Sequence, residues 1–167
     1  MKRRAMIGLI LAVCLAASFS AAAPERRVQI CTWGGTPTAP TGEVTLTPGV
    51  NLTPSAEPLK LHATGPLTGG GRCKGTMTFD GVAEAGATCA HTMFDGKVRG
   101  LPGVARFRGP GIANLVHEFL YDRNGNIVGA DQPVLLLQDD EHSQAEDCAT
   151  PEGFTHAVFS ATVELWG

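Results

Sequence analysis

The sequence predicts an all-β fold: an antiparallel β-sandwich or β-barrel of about 8–9 short strands, preceded by an N-terminal signal helix. Three observations point there. The 21 glycines and 11 prolines are spread along a chain in which only 17% of residues are charged, as expected of many strands joined by tight turns. Apolar residues recur at every second position in several segments, most clearly from Phe154 to Trp166. An Asn124-Gly125 pair divides two apolar runs, a strong short-range hairpin signal.

In chain order, Lys2, Arg3 and Arg4 precede an apolar run, Met6 to Leu15, and a small-residue stretch, Ser18 to Ala23. That is the layout of a secretory signal peptide, so residues 1–23 are expected to be removed and residues 24–167 to form a single secreted β-domain. The run is shorter than the roughly 20 residues a membrane helix needs, and no transmembrane segment is expected in the mature chain. Cleavage after Ala23 would leave Pro24 first, and cleavage after Ala22 avoids this. Leu11-Ala12-Val13-Cys14 resembles a lipobox, with the bulky Val13 where a small residue belongs. Removing Lys2, Arg3 and Arg4 leaves 10 basic residues against 16 acidic ones, a net charge of −6. With no basic cluster in the mature sequence, that balance argues against nucleic acid and anionic membrane surfaces as partners.

Gly34 to Gly42 and Pro48 to Pro58 read as loops from their Gly and Pro content. Val44–Leu46 and Leu59–Ala63 alternate as strands. Cys73 to Phe79 alternates too, with Met77 and Phe79 on one face, and Asp80-Gly81 then signals a turn. Thr92–Val98 and Val104–Phe107 are strand candidates around Gly100-Leu101-Pro102-Gly103. Leu115 to Leu137 reads as a hairpin: one strand ends in Tyr121-Asp122, the turn Arg123-Asn124-Gly125 follows, a second strand starts at Asn126, and Asn124-Gly125 suits a type I′ turn. In the last strand, Ala157, Phe159, Ala161, Val163 and Leu165 form one apolar face, with His156, Ser160, Thr162 and Glu164 on the other.

Four cysteines remain after the leader: Cys31, Cys73, Cys89 and Cys148. In an exported domain an even count reads as two disulfides with three possible pairings. The short spacing favours Cys73 with Cys89, as one hairpin, which leaves Cys31 with Cys148.

Three resemblances add to this. Tyr121-Asp122-Arg123-Asn124-Gly125-Asn126-Ile127-Val128 resembles one unit of the tyrosine-aspartate repeats of large secreted shell proteins, which implies a hairpin. Cys31-Thr32-Trp33-Gly34-Gly35, Gly71 to Phe79, Gly100 to Phe107 and Asp147 to Phe154 resemble segments of small exported actinobacterial proteins without an assigned activity. That resemblance implies a secreted β-domain and brings no catalytic residue. The stretch from Ala22 to Cys31 is similar to the approach to the first cysteine of secreted subtilisin inhibitors, but nothing matches their reactive loop.

Residues able to carry chemistry do not assemble into a motif. His62, His91, His117, His142 and His156 lie outside any metal-ligand spacing. Asp139-Asp140-Glu141-His142, with Glu146 and Asp147, is an acidic loop that fits no calcium loop. Asp122-x-Asn124-x-Asn126 begins like an EF-hand loop, but Ile127 replaces its glycine and Pro133 its glutamate. The mature serines, Ser55, Ser143 and Ser160, stand in no nucleophile motif. No catalytic, cofactor-binding or metal-binding residue is therefore assigned, and no cofactor is expected. The expected role is a non-enzymatic binding or cell-envelope protein with an unknown protein or envelope ligand, acting through loops or an exposed patch such as one around Trp166. The alternatives are a protease inhibitor and a hydrolase whose site is assembled from distant residues, with His62, His91, His117, His156, Glu118 and Glu164 as its candidates.

Overall fold

The computed structural model describes residues 27–110, 118–131, 135–137 and 144–167. The expected leader, Leu115 to His117 and the acidic residues Asp139 to His142 lie outside them. The described elements are β1 (Val28–Trp33), β2 (Gly35–Thr36), β3 (Ala39–Pro40), β4 (Gly42–Val50), β5 (Leu59–Gly70), β6 (Cys73–Ala83), β7 (Met93–Arg99), β8 (Arg106–Pro110), β9 (Phe119–Tyr121), β10 (Ile127–Asp131), β11 (Leu135–Leu137), α1 (Gln144–Cys148) and β12 (Phe154–Trp166).

From β4 to β10 each strand pairs antiparallel with the next, β10 pairs with β12, and β12 returns to β4. The eight strands form a closed barrel, and closure pairs every one of these eight on both sides. Of the two architectures expected from the sequence, the barrel is the one formed. β12 is the longest strand at 13 residues, and its two halves hold different partners. Phe154–Phe159 pairs with β4, whereas Ala161–Trp166 pairs with β1. β1 also reaches β5 through Thr32 and Trp33. β1 and β4 thus share one line of the barrel, and the chain between them loops outward as the small β2–β3 hairpin.

Glycines permit that excursion. The Gly34 N–H donates to the Pro66 carbonyl at 2.9 Å, and the Gly42 N–H to the Gly34 carbonyl at 3.1 Å. A β-carbon on Gly65 would stand 2.9 Å from the Gly34 Cα and 3.0 Å from that of Gly42, closer than side chains allow. The Ser160 hydroxyl then ties the excursion down by donating to the Gly35 carbonyl at 3.0 Å.

Period-two alternation decides what fills the barrel. Trp33, Phe79, Phe107 and Phe159 are buried inside. Phe79 stacks on Phe107 at a centroid distance of 4.3 Å, and Trp33 meets Phe79 at 4.5 Å and Phe159 at 4.4 Å. The Trp33 indole N–H donates to the Met77 carbonyl at 3.1 Å, as a buried indole requires. Ala157, Ala161, Val163 and Leu165 of β12 line the interior as the sequence predicts.

Three expectations need correction. First, the disulfides join Cys31 to Cys73 and Cys89 to Cys148, not Cys73 to Cys89 and Cys31 to Cys148. Second, Asp80-Gly81 is not a turn. β6 runs on to Ala83, and Gly81 is needed inside the sheet because a β-carbon there would come within 2.6 Å of the Phe107 ring. The second error explains the first. Eleven residues of continuous strand span roughly 33 Å, so Cys73 and Cys89 stand at opposite rims. Third, the β9–β10 turn falls at Arg123-Asn124-Gly125 as expected but is not of type I′. The Gly125 N–H donates to the Asp122 carbonyl and the Asp122 N–H to the Asn126 carbonyl, which leaves Arg123-Asn124-Gly125 as a three-residue loop. Gly125 takes the positive φ, +85°, that such a loop places on its last residue.

The helix α1 was not expected at the end of the acidic segment. Its last residue, Cys148, carries the rim disulfide, and the Cys148 carbonyl accepts the Leu52 N–H at 3.0 Å.

Candidate functional site

The two disulfides fasten opposite rims. Cys31–Cys73 lies at the rim where β5 turns into β6. Cys89–Cys148 lies at the other, where the β6–β7 connection folds inward. Ala87 and Cys89 are buried there, and the Cys89 N–H donates to the Asn51 carbonyl. Thr92 is buried with them, while Glu84 to Gly86, Ala90 and His91 of the same connection are exposed.

The functional candidates from the sequence are dispersed. His62 is on the outer face of β5, where Nδ1 lies 2.8 Å from Asp80 Oδ1. His91 belongs to the β6–β7 connection, while His156 and Glu164 lie on β12. Glu118 is buried inside the barrel, and His117 lies outside the described residues. Trp166, half-buried, faces Val28 across the β1–β12 pair, and Val28 and Ile30 are exposed beside it. Among the described residues no three His, Cys, Asp or Glu side chains form a metal-binding group.

One buried polar feature stands out. Glu118 and Asp131 are 3% and 0% exposed. They face each other across the β9–β10 pair. Asp131 Oδ1 accepts the Glu118 N–H at 2.7 Å, and the Asp131 N–H donates to the Glu118 carbonyl at 3.0 Å. Desolvation lifts both carboxyls, Glu118 well above its ordinary value and Asp131 to about 7, and the neighbouring Asp131 raises Glu118 further. Paired carboxyls with raised pKa values can serve as general acid and base. These two are closed off from solvent, and their backbone hydrogen bonds lock the strand pair together.

The outer surface is different. On β7 and β8 the outward positions are Met93, Asp95, Lys97 and Arg99, then Arg106, Arg108 and Pro110. Lys97 stands directly opposite Arg106, and Asp95 opposite Arg108. Arg99 Nη1 meets Asp80 Oδ2 and Arg106 Nη2 meets Asp95 Oδ1, both at 2.6 Å. Among the described residues Lys97, Arg108 and Arg123 have no ion-pair partner. Like charges facing each other across a strand pair are destabilising; Arg106 is offset by Asp95, and Lys97 opposite it is not.

Two adjoining clefts run through this region. The first, of about 260 Å³, lies between β8 and the β9–β10 loop and is lined by Asp95, Arg106, Arg108, Tyr121 and Arg123. The second, of about 710 Å³, lies between that loop and Gly100–Val104 and is lined by Arg99 and Arg123. Asp122 and Arg123 line both clefts. Arg72 reaches the same rim, with a guanidinium nitrogen 3.1 Å from where a β-carbon on Gly103 would stand. Asp122 is committed to its own loop. Its carboxylate accepts the N–H groups of Asn124 and Asn126 at 2.8 and 2.9 Å and the Asn126 side-chain amide at 2.9 Å. The Asn126 bonds are the largest cause holding it below its usual carboxylate value.

The sequence reading missed this cluster because its cations are separated in the chain. A signal was present: Lys97-x-Arg99 and Arg106-x-Arg108 flank the Gly100-Leu101-Pro102-Gly103 turn, so a hairpin places all four on one face. The region can hold negative charge in an open, polar groove with one aromatic wall. No protein-family model matches the chain, and neither a curated protein nor a solved structure matches it. The fold and this geometry define the class as a disulfide-linked, closed antiparallel β-barrel with a cationic external cleft. Among the described residues no helix is long and apolar enough to cross a membrane.

Proposed function

We propose that the protein is an exported, non-enzymatic binding domain and that the Arg106–Arg108–Arg123 cleft is its binding site. The observation that carries the reading is that Arg99, Arg106, Arg108 and Arg123 line two adjoining clefts, with Lys97 opposite Arg106 and Arg72 at the same rim, on a chain whose overall charge is negative. Four of these cations, Arg72, Lys97, Arg108 and Arg123, have no ion-pair partner among the described residues, and Arg108 and Arg123 line the clefts, where a ligand can reach them. The leader-like residues 1–23, the resemblance to small exported actinobacterial proteins and the two disulfides, which form in oxidising compartments, support export. A cell-envelope ligand fits a secreted domain that presents fixed positive charge.

Chromatography tests the site. A mature chain with net charge −6 should pass through a sulfonate resin at pH 7 unless its cations are segregated. Retention at low salt is expected for residues 24–167, with loss in the Arg108→Glu/Arg123→Glu variant. Flow-through of the wild-type chain would remove the basis for the site. Export is tested by N-terminal sequencing of protein recovered from the medium, which should begin at Ala23 or Pro24.

A further inference from the structure

We propose that the cleft takes an acidic saccharide, a sugar chain bearing carboxylate or phosphate groups; this rests on the cleft being the binding site. Three features of the lining select that class.

The first is the cation type. Arg108 and Arg123 present planar forked donors, which match the paired oxygens of a carboxylate or phosphate. The second is the mixture of signs. Asp95 lines the same cleft, and only its Oδ1 is engaged by Arg106. A surface built for a bare polyanion gains nothing from a carboxylate in the groove. A saccharide gains an acceptor for its hydroxyls, so the mixed lining favours a ligand with both anionic groups and O–H donors. The third is Tyr121, half-buried on the outer face of β9 and lining the cleft between Arg106 and Arg123. A partly covered aromatic ring offers an apolar wall with a polar tip, against which a sugar ring can lie.

The shape sets the length. The two clefts meet at Asp122 and Arg123, and together they are as large as ordinary ligand sites, which run to about 1,000 Å³. The loop wall at Asp122 and Arg123 stands between the two clefts, so a chain of several linked sugars that filled both would cross it and meet Arg123 on either side. The ligand's charge would sit at Arg108 and Arg123, with its ring faces at Tyr121.

The experiment uses calorimetric or biolayer titration of residues 24–167 with four probes: polygalacturonate (carboxylate-bearing), phosphomannan (phosphate-bearing), neutral dextran and inorganic polyphosphate. Binding is expected for polygalacturonate or phosphomannan at 50 mM salt, at least tenfold tighter than for dextran. It should weaken at 300 mM salt, where the Debye length falls to about 6 Å. Arg108→Ala/Arg123→Ala should lose at least tenfold in affinity. Tyr121→Ala should lose affinity for the acidic saccharide and leave polyphosphate unchanged, a split that a general loss of folding would not produce. Glu43→Gln, on β4 across the barrel from β8, should bind as the wild type does. Two results would overturn the proposal: binding of neither acidic saccharide, or polyphosphate binding as tightly as the saccharides with no effect of Tyr121→Ala. Should the sulfonate resin retain the protein while both acidic saccharides fail, the cleft survives as a site and the saccharide assignment does not. Failure on both removes the site as well.

Discussion

Asp131→Asn should stabilise the protein at neutral pH and flatten the dependence of its stability on pH. Asp131 is fully buried, and desolvation raises its pKa from 3.8 to about 7. A carboxyl whose folded pKa exceeds its unfolded value holds its proton more tightly when folded. Its contribution to stability is complete below pH 4 and is lost as the pH rises through 7. The shift of about three pH units corresponds to at most about 4 kcal/mol, at roughly 1.4 kcal/mol per unit. Glu118 is raised for the same first cause, burial, and adds a loss in the same direction. Asparagine carries no charge at any of these pH values, and its side-chain oxygen can still accept the Glu118 N–H that Asp131 Oδ1 accepts now. Urea unfolding at pH 4, 6 and 8 measures the effect. The wild type should lose stability across that range, and Asp131→Asn should lose less, so the variant exceeds the wild type at pH 8 by about 1 kcal/mol or more. Adding Glu118→Gln should flatten the profile further. Equal slopes for wild type and Asp131→Asn would refute the buried, coupled pair.

The other predictions concern the barrel itself. Each disulfide closes a long segment, 42 residues for Cys31–Cys73 and 59 for Cys89–Cys148, so replacing either pair by serine should cost about 4 kcal/mol on the chain-entropy estimate, read by thermal unfolding; non-reducing peptide maps should show these two links and no Cys73–Cys89 link. Gly125→Val should cost about 1–2 kcal/mol, because a β-branched residue resists the positive φ there; an unchanged melting temperature would contradict the three-residue loop. Trp33→Ala should cost about 3–5 kcal/mol by emptying the space between Phe79 and Phe159 and should be visible as a large drop in denaturation midpoint.

Much of the barrel was legible because alternation and strand are linked by geometry. Phe154–Trp166 was readable at both ends, since every second residue is apolar and the strand faces a packed interior on one side. The hairpin about Gly125 was readable for a different reason, the Asn124-Gly125 pair between two apolar runs. What misled was glycine. Asp80-Gly81 has the composition of a turn, yet Gly81 sits mid-strand to admit the Phe107 ring, and only the neighbouring strands reveal that need. The disulfide pairing failed with it, because sequence spacing measures distance along the chain and a long strand turns spacing into separation. The closure of β12 onto both β1 and β4 was not readable, since it depends on an excursion permitted by Gly34, Gly42 and Gly65 meeting in space. The cationic cleft was half legible: the two arms of the β7–β8 hairpin carry its pattern, but Arg123 joins them from a different hairpin through the curvature of the barrel.

The most direct test of the cationic cleft is amide chemical-shift mapping of the ¹⁵N-labelled mature chain during titration with oligogalacturonate. The account predicts shifts concentrated at residues 97–108 and 121–125, saturating with ligand and fading with salt. Shifts confined to the Cys89–Cys148 rim or to the Val28–Trp166 surface, or no saturable shifts at all, would contradict it.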